Sequence, residues 1–237
     1  MKQNTSIQPR GCRAIICNGT RLVIALVLLS FASAAFAAGR NPNPGILPVN
    51  SNPHGKTYGE WGAEWWSTIF SIPIVEGDHP FFSGGAFGEE KGVVFLAAIG
   101  GGAVVDVTIP ADTALFFPVL NTECSVLEPD PFHGDNEAEL RACANGITDN
   151  ASGIAASIDG VPVNDLGSYR VESPLFEFGP LPADNIFGAP AGTTSLAVDA
   201  GIYLFVAPLT VGTHTIHVQG SIPGFVSIDT TFHITVE

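Results

Sequence analysis

SLAVDAGIYLFVAPL (195–209), HTIHVQG (214–220) and TTFHITV (230–236) close the chain, and their patterning decides the fold. In the second stretch Ile216 and Val218 share a face with His214, while Thr215, His217 and Gln219 face the other way. In the third, Phe232, Ile234 and Val236 alternate with Thr231, His233 and Thr235. A period of two marks half-buried strands, since successive side chains leave a pleated backbone on opposite faces.

Upstream, the same reading extends over most of the chain. VVFLAAI (93–99), a Gly100–Gly102 turn and VVDVTI (104–109) read as a hairpin, and TALFFPVL (113–120) as a strand buried on both faces. Further strands are expected at 154–158, 161–164 and 168–178, with Asp159-Gly160 as a two-residue hairpin turn. About ten short strands with turn signals between them predict a mostly β protein, an antiparallel β-sandwich or jelly-roll-like single domain.

Two segments break the strand pattern. Thr57 and Glu60 form a T-x-x-E capping box ahead of YGEWGAEWWSTIF (58–70), which Pro73 stops. Tyr58, Trp61, Trp65 and Ile69 fall on one stripe of this N-terminal aromatic helix, with Trp66 and Phe70 beside it. Gly59 and Gly62 each cost about 1 kcal/mol of helix propensity, which implies close tertiary packing. The second break is the acidic excursion 128–150, where Asp135 is expected to cap a short helix reaching about Ala144. A Glu137–Arg141 pair supports that helix and Gly146 stops it.

The N-terminal 37 residues have the anatomy of a secretory signal peptide: positive charges, an apolar run from Leu22 to Phe31, and Ala35-Phe36-Ala37 as the expected cleavage site. Residues 38–56 read as an extended Asn/Pro-rich lead-in and 57–237 as the single β-sandwich domain. Beyond the leader, which takes Cys12 and Cys17 with it, only Cys124 and Cys143 remain. In a secreted or periplasmic protein these two are expected to pair. No second long apolar run follows, so no transmembrane anchor is expected after cleavage.

The chain has 9 basic and 23 acidic residues. Four of the basic ones lie in the leader, leaving five cations against 23 acids, a charge of −18. Such a body repels phosphate backbones, so nucleic acid is excluded as a partner. No G-x-S-x-G elbow and no phosphate-binding loop is present, and no motif requires a cofactor.

Three constellations carry chemistry. Glu60 and Glu64 lie one turn apart beside Trp61, Trp65 and Trp66, as in a sugar-binding cleft with paired carboxylates, although three tryptophans on a short helix are more simply its core face. In FFPVLNTEC (116–124) an apolar strand presents Asn121 and Glu123 beside the expected disulfide. His217 and His233 sit on the polar faces of two strands expected to pair, where they would converge on a metal, unless they are simply surface residues. The acidic residues Glu128, Asp130, Asp135, Glu137 and Glu139 lack the order of a Ca²⁺ loop. Two functions follow. One is an exported binding or envelope-associated module for a carbohydrate or small ligand, with Trp61, Trp65, Trp66 and Asn121 as contacts. The other is a glycoside-type hydrolase using Glu60 or Glu64 with Glu123.

The series YGEWGAEWW, IPADTALFFPVLNTEC, ELRACA, ASIDGVPV, SPLFEFGPLPADNIFG and LTVGTHTIHVQG resembles a group of uncharacterised exported bacterial proteins, over nearly the whole chain after the leader. That resemblance implies export and no particular activity. The closing L-x-x-G-x-H-x-I-x-V also resembles the last strands of immunoglobulin-like extracellular domains, which bears on fold class alone.

Overall fold

A computed structural model describes residue 43 and residues 45–237. The signal peptide expected over 1–37 lies outside the described residues.

The protein is a β-sandwich of two sheets. Its strands are β1 (Gly85–Glu90), β2 (Val93–Ala97), β3 (Ala103–Ile109), β4 (Ala114–Ser125), β5 (Ser152–Ile158), β6 (Val161–Pro162), β7 (Arg170–Glu172), β8 (Phe176–Phe178), β9 (Ser195–Val206), β10 (Gly212–Ile222) and β11 (Val226–Val236). One sheet runs β1-β2-β4-β9-β7, with β8 also on β9; the other runs β3-β11-β10-β5-β6. Most pairs are antiparallel, but β2 with β4 and β3 with β11 are parallel, so both sheets are mixed.

Two parts of the strand reading need correction. The 93–109 stretch is no hairpin, because β2 and β3 belong to different sheets and residues 98–102 cross between them. Ile99 anchors the crossing: its N–H donates to Thr230 Oγ1 (2.8 Å), and its carbonyl accepts from the Asp229 N–H (3.0 Å). Strand 168–178 is also divided, into a 3₁₀ turn at Leu166–Tyr169 followed by β7 and β8, both on β9. The Asp159-Gly160 turn does join β5 to β6, with both residues at positive φ (50° and 74°) as a type I′ turn demands.

Helix α1 (Tyr58–Phe70) lies on the outer face of the first sheet. Its capping box is formed: Thr57 accepts from the Glu60 N–H, and Glu60 accepts from the Thr57 N–H (2.7 Å). Phe95, Phe116 and Phe205 turn their rings up to Trp61, at 5.6–6.1 Å between centroids. The alternate residues Leu115, Phe117, Leu204 and Val206 face the second sheet, where Ile216, Val218, Phe232 and Ile234 complete one core. The two helix glycines are where the fold needs them. A Cβ on Gly59 would strike the Glu172 carbonyl, and one on Gly62 would lie 2.6 Å from Asp199 Oδ2. Close docking of α1 therefore offsets its poor propensity.

Beyond the four-residue turn α2 (Pro80–Ser83), helix α3 spans Glu137–Thr148. It is capped by Asn136 rather than Asp135 and runs through Gly146 rather than stopping there. Tertiary contact overrides the glycine: Leu140 and Ala144 pack on Val198, Ala200 and Cys124, and Thr148 Oγ1 donates to the Ala200 carbonyl (3.0 Å). The Glu137–Arg141 ion pair is present (2.6 Å). Cys124 and Cys143 form a disulfide that staples α3 to β4. The lead-in joins the fold earlier than residue 57. Ile46 is buried, the Leu47 N–H donates to the Phe205 carbonyl (2.8 Å), and the Tyr58 hydroxyl donates to the Leu47 carbonyl (2.6 Å).

Candidate functional site

The site arises where one strand outlasts its neighbour. β2 pairs with β4 only through Val93–Phe95 against Ala114–Phe116, and then leaves for the second sheet. β4 continues to Ser125, where the Ser125 N–H donates to the Phe132 carbonyl (3.0 Å). Between these two points residues 118–123 of β4 have a partner on one side only, β9. On the other side lies a cleft of about 680 Å³, within the range of sites for small ligands.

Alternation sorts the side chains of β4 and β9. Cys124, Val198 and Ala200 turn to α3, whereas Asn121, Glu123, Asp199, Gly201 and Tyr203 occupy the face toward α1. Glu123 and Asp199 are directly opposed cross-strand partners, and so are Asn121 and Gly201. Gly201 is required there, since a Cβ would come 2.6 Å from Asn121 Cβ and 2.7 Å from the Tyr203 ring. Its absence lets the Asn121 amide donate to the Tyr203 hydroxyl (2.9 Å). Asp199 is fully buried and accepts from the Trp66 indole N–H (2.9 Å). Burial raises its pKa to about 7, offset in part by the neighbouring Tyr203 hydroxyl and the Trp66 N–H.

Glu123 borders the cleft and is 4% exposed. Burial, reinforced by the adjacent Glu128 carboxyl and by Asp199, pushes its pKa well up. Burial also raises Glu128, which accepts from the Ser125 hydroxyl (2.9 Å). Burial and the proximity of the two glutamates therefore both favour protonated carboxyls here. Among the described residues Glu123 Oε1 has no hydrogen-bond partner.

The rest of the cleft is apolar. Trp65, Trp66 and Phe70 of α1 form one wall, and Leu120, Ile222 and Ile228 another. Asn185 shapes the loop that brings Ile186 and Phe187 to the cleft: its amide donates to the Pro182 and Ala189 carbonyls (2.8 and 2.7 Å) and its Oδ1 accepts from the Phe187 and Ala189 N–H groups. His79 caps α2 by accepting from the Phe81 N–H (3.1 Å), which sets Phe81 and Phe82 at the rim. Phe225, at the β10–β11 tip, stands edge-on to Phe132 (5.6 Å). Phe81, Phe82 and Phe225 are exposed.

The residues singled out in the sequence part company here. Asn121, Glu123, Trp65 and Trp66 meet at the cleft, whereas Trp61 is sealed in the core with its indole N–H on the Pro53 carbonyl (2.9 Å). Glu60 and Glu64 do not border the cleft. Glu60 is exposed and held ionised by the Thr57 N–H and hydroxyl, and Glu64 is bound to Lys56 (2.7 Å). The glycoside-type pairing of Glu60 or Glu64 with Glu123 is therefore not assembled. His217 and His233 do not converge either. In the β10–β11 register they are offset by two residues, and each pairs with its own carboxylate, Asp229 (3.0 Å) and Asp106 (3.3 Å). Among the described residues no group of three His, Cys, Asp or Glu side chains is arranged to hold a metal. Of the acidic residues singled out in the 128–150 excursion, only Glu128 borders the cleft.

Sequence reasoning missed Asp199 and Tyr203, and singled out Glu128 only as one acidic residue of the excursion. Asp199 carried a signal, being the one charged residue inside the apolar run SLAVDAGIYLFV.

No family model and no curated protein matches the chain. Among solved structures, a cysteine protease inhibitor from Entamoeba histolytica aligns over 57% of this chain and 95% of its own, at 12% identity and a TM-score of 0.21.

Proposed function

We propose that the protein is an exported binding module whose ligand is a small, mainly apolar molecule with one polar group, held in the cleft beside β4. The observation that carries this reading is the combination, in one cleft, of aromatic and aliphatic walls with a buried glutamate, one of whose oxygens has no hydrogen-bond partner among the described residues. Pockets that bind small molecules pair a largely apolar lining with a few placed polar groups. The exposed phenylalanines at the rim fit the same role, since an exposed apolar patch around a cleft marks a contact surface. A carbohydrate is the weaker candidate: the three tryptophan rings are 0–6% exposed, and their indole N–H groups are all engaged within the protein. Export is supported by the leader and by the Cys124–Cys143 disulfide, which suits an oxidising compartment.

Titration with Nile red tests the reading. Saturable 1:1 binding is expected, abolished by Ala98→Trp, which fills the cleft, and weakened by Phe82→Ser at its rim. Binding unchanged in both variants, or no binding of any apolar probe alongside a positive glycan array, would remove it.

A further inference from the structure

Building on the cleft as the ligand site, we infer that the polar group it selects is a primary ammonium, so that the ligand is an alkyl or aryl amine seated on Glu123 and Glu128. The polar side chains at the cleft are acceptors or neutral: Glu123, Glu128, Asn121 and Thr122. Among the described residues no Lys or Arg borders it, and the four described cations are occupied elsewhere. Lys56 binds Glu64, Lys91 lies by Glu90, Arg141 binds Glu137 and Glu172, and Arg170 binds Asp149. An anionic headgroup would meet two carboxyls in a desolvated wall with nothing to neutralise it. A neutral hydroxyl could donate one hydrogen bond to Glu123 Oε1 but would leave the charge of the pair uncompensated. A primary ammonium brings both charge and three donors, and the rings of Trp65, Trp66 and Phe81 suit the remainder of such a ligand.

Binding has a proton balance. An incoming ammonium keeps its own three protons, and any proton it displaces from the Glu123 and Glu128 carboxyls, whose protonated forms burial favours, leaves to solvent. The groups facing the pair are Asp199 across from Glu123 on β9 and the Ser125 hydroxyl on Glu128.

The experiment is calorimetric titration of the full chain with n-octylamine, n-octanol, n-octanoate and octyltrimethylammonium, in two buffers of different ionisation enthalpy and again in 0.5 M salt. Octylamine is expected to bind at least tenfold tighter than the other three, at both salt levels, with release of up to one proton per ligand near neutral pH. Glu123→Gln and Glu128→Gln should each erase that preference, bringing octylamine down to the affinity of octanol on the same variant; Glu128, only half-buried, serves if Glu123→Gln does not fold. Octanol binding as tightly as octylamine overturns the ammonium inference and leaves the apolar cleft standing. Equal affinity for octylamine and octyltrimethylammonium, lost in salt, reduces the effect to bulk charge and also overturns it. Failure of all four to bind overturns the cleft reading itself.

Discussion

Asp199 is the most consequential side chain in the interior, and Asp199→Asn isolates its effect. It is 0% exposed, between β9 and α1. The groups facing it are Trp66 and Gly62 from α1, Tyr203 along its own strand, Glu123 across β4 and Glu172 from β7. None is a cation. Burial lifts its pKa from an ordinary 3.8 to about 7. A shift of about three units corresponds to about 4 kcal/mol of linkage. The sign follows from the proton count: the folded protein holds this proton more tightly than the unfolded chain. The stabilisation is therefore complete below about pH 4 and is lost as pH rises through about 7.

Asparagine removes the titration and keeps an oxygen for the Trp66 N–H. Its amide NH₂ then takes the place of Oδ2, which has no hydrogen-bond partner among the described residues, at a pH-independent cost of about 1–3 kcal/mol. The variant should thus melt below the parent at pH 4 and above it at pH 8. The difference in stability between the two should change by about 4 kcal/mol across that interval, roughly 10 °C in melting temperature for a domain of this size. Relief of Glu123 from the Asp199 charge acts in the same direction. Thermal melts by circular dichroism from pH 4 to 8 provide the measurement, and comparison of the two proteins cancels the titrating groups that do not interact with Asp199. Parallel curves would refute the argument, because they would mean that Asp199 ionises at its ordinary pKa despite its burial.

Three further outcomes follow from the packing. Gly62→Ala, which on an exposed helix would gain about 1 kcal/mol of propensity, should instead destabilise, since its Cβ meets Asp199 Oδ2 at 2.6 Å; urea unfolding gives the sign. Cys143→Ser, opening a bridge with a sequence separation of 19, should lower the unfolding free energy by about 3 kcal/mol and leave one thiol that titrates on denaturation. Thr57→Ala removes the hydroxyl of the α1 capping box and should cost about 1 kcal/mol, read from the shift in urea midpoint at unchanged slope.

How much of this was legible depends on whether the deciding interaction is local. The capping box at Thr57 and Glu60, the Glu137–Arg141 pair and the turn at Asp159-Gly160 are contacts within a few residues, and each forms as its spacing implies. β10 and β11 wear their alternation openly because one face of each meets water. β2, by contrast, is buried at every position, and a strand apolar on both faces gives no sign of which neighbour it takes. The Gly100–Gly102 turn signal points to β3 as its partner, whereas β2 pairs with β1 on one side and runs parallel to β4 on the other. Gly146 failed as a stop for a related reason: packing of Leu140 and Ala144 on β9 outweighs the local penalty of one glycine.

The same non-local event accounts for the site. Had β2 turned back as a hairpin, β4 would have lacked that parallel partner along its length. Had β2 run on beside β4 to Ser125, no cleft would separate them. It does neither: it covers β4 as far as Phe116 and then crosses at Ile99 to the second sheet, where Thr230 and Asp229 receive it. What remains is a length of β4 edge, closed at its far end by Phe132, with Glu123 on it. A carboxyl at such a position is poorly solvated, and burial favours its protonated form. Asn121 and Glu123 stood out in the sequence as polar residues near the end of an apolar strand, but their role depends on a strand that leaves, and no spacing within FFPVLNTEC records that departure.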